Sequence, residues 1–116
     1  MAYCIHVDTK HVIERQENNS IPIQSAHDLV ELLNAIDIVF CFDDGWENGT
    51  IYRPALMDGM ANVENYLNGR DHSVEVSEYE GFKQRHSMTD TDIFNFLTWL
   101  LETSDQTDDT IYVSFY

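Results

Sequence analysis

Two cysteines and a histidine are the side chains of this sequence best suited to bind a soft metal ion. Cys4, His6 and Asp8 alternate along an N-terminal segment, so they share one face of a predicted strand. Cys41 and Asp43 share one face of a second predicted strand. If those strands are neighbours, Cys4, His6 and Cys41 can meet as zinc ligands or as a Cys–His nucleophile. No CxxC or HxxxH pair is present, and buried thiols packing as small apolar residues explain the cysteines more simply.

The stretch CFDDGWENGTIY, residues 41–52, sets carboxylates between two apolar runs. A calcium loop of the EF-hand type needs alternate oxygen ligands and a glutamate at its twelfth position. Asp43 and Asp44 are adjacent, and the twelfth position counted from Asp43 is Pro54, so the match fails. Gly45 and Asn48-Gly49 instead fit a hairpin turn, in which positive φ angles favour Gly and Asn.

A turn can still bind a partner, because loops on a rigid scaffold often carry binding residues and tryptophan is enriched at interface hot spots. Trp46, flanked by Asp43, Asp44 and Glu47, is therefore predicted to anchor a partner within an acidic rim. The alternative is that Trp46 folds back over the sheet as a cap.

A second acidic stretch, VEVSEYE at residues 74–80, alternates Val74 and Val76 with glutamates and predicts a short strand. Acidic residues on an edge strand discourage aggregation between sheets. Alternatively, carboxylates at strand spacing imitate a row of phosphates toward a basic groove. The predicted partner-binding residues here are Glu75, Glu78, Tyr79 and Glu80.

Sequence motifs of nucleotide-dependent and hydrolytic enzymes are absent. The chain contains no GxxxxGK[ST] phosphate loop, no GxGxxG fingerprint and no GxSxG elbow. Pairs of carboxylates for acid–base catalysis give no evidence for an enzyme, because almost any two of the twenty-one acidic residues could form one. The sequence therefore predicts a protein that is not an enzyme and needs no cofactor.

Composition indicates a folded, strongly acidic chain. With 116 residues it fits one domain, residues 1–116, and 43% apolar residues suffice for a core. The net charge is −15, and residues 43–80 carry nine acidic and two basic residues. Such charge disfavours nucleic acid as a direct partner, since phosphate binding depends on Lys and Arg. A basic protein is the predicted partner.

The predicted location is the cytoplasm, without membrane contact. No apolar run approaches a membrane span, and MAYCIHVDTK lacks the basic and apolar regions of a secretion signal. A reducing compartment would keep both cysteines as thiols.

Three helices follow from capping signals and apolar spacing. The first covers residues 25–35 with Ser25 as N-cap, the second covers residues 54–67 with Pro54 in its first turn, and the third begins at Thr89 or Thr91. Gly59 weakens the second helix, because glycine costs about 1 kcal/mol in a helix interior.

Strands are predicted at residues 3–8, 36–42, 50–53, 74–79 and 110–116, and residues 14–20 are predicted to form a loop. Val12-Ile13 either extends the first strand or pairs back on it. Residues 36–42, apolar on both faces, predict the central strand. The fold class is therefore α+β, a single domain with a mixed, mostly antiparallel sheet of four to five strands covered by two or three helices.

In size, acidity and lack of catalytic motifs, the chain resembles phage anti-restriction and anti-CRISPR inhibitors and bacterial toxin-immunity proteins. The resemblance implies a nucleic-acid mimic or a cap on a basic toxin. The oligomeric state stays open between a monomer and a homodimer, because the apolar terminal strand with Tyr112 and Tyr116 can pair across a dimer. Two alternatives stay open. One is a small metal-binding protein or enzyme centred on Cys4, His6 and Cys41, and the other is acidity that serves only solubility or salt adaptation.

Overall fold

Helices pack against one face of an antiparallel sheet in this α+β domain, which confirms the predicted class. The computed structural model describes residues 4–8, 13–17, 23, 25–42 and 48–115. Its strands are β1 (Cys4–Asp8), β2 (Ile13–Glu17), β3 (Phe40–Phe42), β4 (Asn48–Tyr52) and β5 (Thr110–Phe115). Its helices are α1 (Ala26–Ala35), α2 (Arg53–Leu67), α3 (Val76–His86) and α4 (Asp90–Thr103).

The strands lie in the order β2, β1, β5, β4, β3, and every described pair is antiparallel. The strand predicted at the end of the sequence, β5, is the middle of this sheet. It pairs with β1 through Ile5 opposite Phe115 and with β4 through Ile51 opposite Ile111. Ile13 pairs back on β1, which is one of its two predicted alternatives, and residues 14–17, predicted as part of a loop, continue this pairing as β2.

The core lies between the helices and one face of the sheet. Alternate residues of β1, β4 and β5 are buried there, among them Ile5, Val7, Ile51, Ile111 and Val113. Buried side chains of the helices join them in one cluster that includes Leu29, Leu33, Val63, Phe82, Leu97 and Leu100. Because strand side chains alternate, the remaining positions of β4 and β5 face away from the helices.

Local capping explains where α1 begins. The side chain of Ser25 accepts a hydrogen bond from the backbone N–H of Asp28 at 3.2 Å, as the sequence predicts. The helix ends in a Schellman motif, in which Ile38 N–H donates to Leu33 O at 2.8 Å and Asp37 adopts a φ of 65°.

The prediction of a central strand over residues 36–42 is wrong. Only Phe40–Phe42 form a strand, and β3 lies at an edge of the sheet. Odd- and even-numbered positions of this segment are both apolar, but they are not buried on two faces of a sheet. Ile36 and Ile38 are buried beside the end of α1, and Val39 is 72% exposed. Consecutive apolar residues therefore mark a buried helix end here, not a strand covered on two faces.

The second and third predicted helices are confirmed as α2 and α4. Pro54 lies in the first turn of α2, and Thr89 forms a capping box with Asp92 at the start of α4. Gly59 is buried where α2 crosses Ile38, and a Cβ at Gly59 would lie 2.7 Å from Ile38 Cγ1. The glycine that weakens helix propensity thus permits the close approach of α2 to the residue 36–38 segment.

The predicted strand over residues 74–79 is wrong, because residues 76–86 form the helix α3. Tyr79 and Phe82, three residues apart, are fully buried, whereas Val76 is largely exposed. The burial therefore follows helical spacing. Lys83, Arg85 and His86 occupy the last turn, where positive charge interacts favourably with the helix dipole.

Candidate functional site

The predicted partner-binding residues of the acidic loop, Asp43, Asp44, Trp46 and Glu47, lie outside the residues that the structure describes. The strands on either side of them are described and are antiparallel neighbours as predicted, with Cys41 opposite Thr50. Asn48 and Gly49, predicted as turn residues, instead belong to β4, and Gly49 pairs with Phe42. Their role as partner contacts stays a prediction.

The second predicted group divides into exposed and internal side chains. Glu75 and Glu78 are exposed in the first turns of α3, and the backbone N–H of Glu75 donates to Ala35 O at 2.8 Å. Tyr79 is fully buried, which corrects its predicted place on an exposed strand. Glu80 accepts hydrogen bonds from within the protein. Helical spacing thus leaves only Glu75 and Glu78 of this group fully available at the surface.

Tyr79 belongs to a polar network that joins α3 to α4. Its hydroxyl donates to Asp90 Oδ1 at 2.7 Å, and the Lys83 ammonium donates to the same oxygen at 2.9 Å. Lys83 also forms an ion pair with Glu80 Oε1 at 3.0 Å, while the Tyr66 hydroxyl donates to Glu80 Oε2 at 2.9 Å. Because Tyr66 lies on α2, the network links three helices.

The network shifts the pKa values of three of its side chains further from neutral pH. Burial and the hydrogen bond to Asp90 raise the pKa of Tyr79 far above its usual value. Burial is the largest single influence and opposes the charged forms of Lys83 and Asp90. Their mutual hydrogen bond, the hydrogen bonds to Glu80 and Tyr79 and the attraction of opposite charges together outweigh it, so the pKa of Lys83 is raised and that of Asp90 is lowered. General acid–base catalysis is most efficient when the pKa lies near the working pH. At neutral pH Lys83 and Asp90 therefore stay charged as an ion pair, and Tyr79 stays neutral and donates its hydrogen bond to Asp90.

Replacing Asp90 with asparagine is expected to lower the free energy of unfolding at pH 7 by about 1 kcal/mol, because the partly exposed ion pair is lost. The folded-state pKa of Asp90 is depressed, so its contribution is present above the unfolded-state pKa. It is lost as the pH falls through the folded-state value. Urea unfolding across an acid pH series should show wild type and Asp90→Asn converging.

Asp90 also lies in the first turn of α4, where any carboxylate favours the helix dipole. A double-mutant cycle with Lys83→Met separates that effect from the ion pair. Coupling between the two substitutions that is the same at acid and neutral pH would contradict the assignment.

Arg53 forms another internal network, at the C-terminal end of α4. Its guanidinium donates to the carbonyl oxygens of Leu101, Asp105 and Asp108 at 3.1, 2.6 and 3.0 Å. It also donates to the buried Ser104 hydroxyl at 2.8 Å. The bond to Leu101 O satisfies a carbonyl group that the helix end leaves without an intrahelical partner, and the other bonds hold the segment between α4 and β5.

Internal contacts thus engage most of the basic side chains that the structure describes. Arg53 binds carbonyl groups, Lys83 pairs with Asp90 and Glu80, and Arg85 pairs with Glu31 at 2.9 Å. Arg70 is exposed. Within the described ranges, several exposed carboxylates form no ion pair with a basic side chain: Asp58, Glu64, Asp71, Glu75, Glu78, Glu102 and Asp109.

The strands that carry the candidate metal ligands are not neighbours. Cys4 and His6 lie on β1 and Cys41 lies on β3, with β5 and β4 between them. Strands are spaced by about 4.8 Å, which separates β1 from β3 by about 14 Å. Among the described residues, no group of three or more His, Cys, Asp or Glu side chains could hold a metal ion. The condition on which the zinc hypothesis depended is not met.

The sheet face that points away from the helices, here called the outer face, carries two exposed tyrosines, of which the sequence indicated only Tyr112, as a contact of a predicted homodimer. Tyr52 on β4 is 58% exposed and Tyr112 on β5 is 44% exposed. Tyr52 pairs with Thr110 and Tyr112 pairs with Thr50, so the two tyrosines are diagonal neighbours. The available signal was their alternation with the buried Ile51, Ile111 and Val113.

Comparisons with protein-family models, with curated proteins and with solved structures give no match. Within the described part of the chain, every helix is too short or too polar to cross a membrane. Evidence about function therefore comes from the surface of the protein itself.

Proposed function

We propose that this chain is a small, acidic, non-enzymatic interaction protein that inhibits or caps a basic protein partner. The partner is a nucleic-acid-binding enzyme whose groove the chain occupies, or a toxin that it neutralises. The observation that carries the proposal is that Arg53, Lys83 and Arg85 are engaged by contacts within the chain, while exposed carboxylates such as Glu75 and Glu78 form no ion pair with a basic side chain of the described residues.

A fixed acidic surface favours association with a basic one. Complementary fields speed encounter by about 10–10³-fold and disfavour partners of like charge. Glu75 and Glu78 are well placed to contribute, because the hydrogen bond from Glu75 N–H to Ala35 O ties the start of α3 to the end of α1. Carboxylates on a rigid helix can occupy the positions that phosphates take in a basic groove. The loop residues 43–47 are proposed as further contacts.

The polar network around Tyr79 also supports a binding role over catalysis. It brings together a lysine, a tyrosine and an aspartate, yet their pKa values are shifted away from neutrality. The proposed location of the chain and its partner is the cytoplasm.

The proposal is tested by passing host lysate over the immobilised protein and eluting with a salt gradient. We expect a basic nucleic-acid-binding protein or toxin to elute at a defined salt concentration, and its purified activity to fall when stoichiometric acidic protein is added. Glu75→Lys with Glu78→Lys should move elution to lower salt. Asp58→Lys with Glu64→Lys changes the net charge equally on α2 and should move it less.

An unrelated protein of equal net charge serves as the reference for simple ion exchange. If it retains the same proteins at the same salt concentration, or if the retained protein keeps full activity in the complex, the proposed inhibitor function is wrong.

A further inference from the structure

The outer face is a stable platform with aromatic side chains left uncovered by the described residues. Tyr112 lies on β5, which is hydrogen-bonded on both sides, so its exposure is not caused by a sheet edge. Ile111 and Val113, its neighbours along the strand, are buried in the core and fix the backbone beneath it. Tyr52 lies diagonally across from it on β4.

Negative charge flanks this platform at one end. Asp109 is exposed and directly precedes β5, and the Asp108 carboxylate accepts a hydrogen bond from Thr110 N–H at 2.9 Å. Arg53, which follows Tyr52 in the chain, directs its guanidinium toward the end of α4. The same guanidinium donates to the carbonyl oxygen of Asp108 at 3.0 Å, so it lies beside that residue but forms no ion pair with either carboxylate.

We propose that the outer face, centred on Tyr52 and Tyr112 and flanked by Asp108 and Asp109, docks an arginine- or lysine-rich segment of a partner protein. The inference rests on the proposed function and locates one of its binding surfaces. Tyrosine rings attract cations that lie over their faces, and adjacent carboxylates pair with the same groups. Guanidinium groups fit best, because they are planar and both stack on rings and bind carboxylates.

Two other occupants of an uncovered sheet face fit this surface less well. A second copy of the chain would bring together two proteins that each carry a net charge of −15. A nucleic acid would place phosphates beside Asp108 and Asp109. Both arrangements set like charges against each other, which costs affinity.

The test measures binding of a short fluorescent peptide in which arginine alternates with serine, at low and at physiological salt. Tyr52→Ser with Tyr112→Ser should weaken binding about tenfold, whereas Tyr52→Phe with Tyr112→Phe should retain most of it, because phenylalanine keeps the cation–π surface. Asp58→Asn with Glu64→Gln removes two exposed negative charges from α2, outside both proposed contact surfaces, and should change binding by less than about threefold, because single exposed charges contribute weakly. Circular dichroism and Tm establish that each variant is folded.

The outcomes separate this inference from the proposed function. If Glu75→Gln with Glu78→Gln weakens peptide binding and the serine variant does not, α3 and not the outer face is the docking surface, and the proposed function still holds. If wild type binds no basic peptide at low salt, both fail. If ultracentrifugation shows a wild-type dimer that the serine variant abolishes, the face binds a second copy and the inference is overturned.

Discussion

Replacing Arg53 with alanine is expected to lower the free energy of unfolding by about 3–5 kcal/mol, because it removes four part-buried hydrogen bonds at once and takes the donor away from Asp108 O and Ser104 Oγ. The guanidinium reaches Leu101, Ser104, Asp105 and Asp108 at once, so its removal frees the end of α4 and the segment that leads into β5. Urea unfolding at neutral pH measures the loss.

Lysine is not expected to substitute for Arg53. One ammonium group cannot reproduce the planar fork that serves acceptors on several residues, so Arg53→Lys should recover less than half of the lost stability. Arg70→Ala is the control, because Arg70 is exposed, and it should change stability by less than about 0.5 kcal/mol. If Arg53→Lys is as stable as wild type, the positive charge matters there and the hydrogen-bond geometry does not.

Gly49→Ala is expected to destabilise the protein by about 2–3 kcal/mol, because overpacking a close contact forces the backbone or its neighbours to move. Gly49 lies on β4 beneath the ring of Phe40, and an added Cβ would clash with Phe40 Cε2 and Cζ. It would also lie 2.6 Å from the carbonyl oxygen of Cys41, on the paired strand. Thermal and urea unfolding measure the change.

A smaller neighbour should relieve part of that clash. Gly49→Ala combined with Phe40→Leu should cost less than the sum of the two single substitutions. Gly81→Ala provides the control: its Cβ would meet only the mobile end of Arg85 at 3.1 Å, and alanine favours the helix. Equal stability of Gly49→Ala and Gly81→Ala would contradict the proposed packing at β4.

Elements with strong local signals could be predicted from the sequence. Ser25 and Thr89 cap α1 and α4 as expected, and the alternation in β5 reflects its one buried face. The prediction for residues 74–80 was wrong because the alternating valines indicate a strand, whereas the buried Tyr79 and Phe82 are spaced as in a helix. That burial depends on partners distant in sequence, such as Asp90 and Tyr66, and no local pattern encodes them.

The candidate site was predictable only in part. Acidity and the exposure of Glu75 and Glu78 follow from composition and polarity. The separation of Cys4 from Cys41, and the diagonal placement of Tyr52 and Tyr112, depend on where β5 enters the sheet. Strand order is a property of the whole chain, which explains why spacing along the sequence did not reveal it.

The central place of β5 also constrains the order in which the protein can fold. The pairs β1–β2 and β3–β4 are hairpins of residues near in sequence, but they share no hydrogen-bonded edge until β5 lies between them. The contact of Ile5 with Phe115 then closes almost the whole chain into one loop. Long-range closure of this kind slows folding. During synthesis, β1 and β4 would each have an unpaired edge until β5 has been made. Repulsion between the negatively charged nascent chains would then help to prevent these edges from pairing with one another.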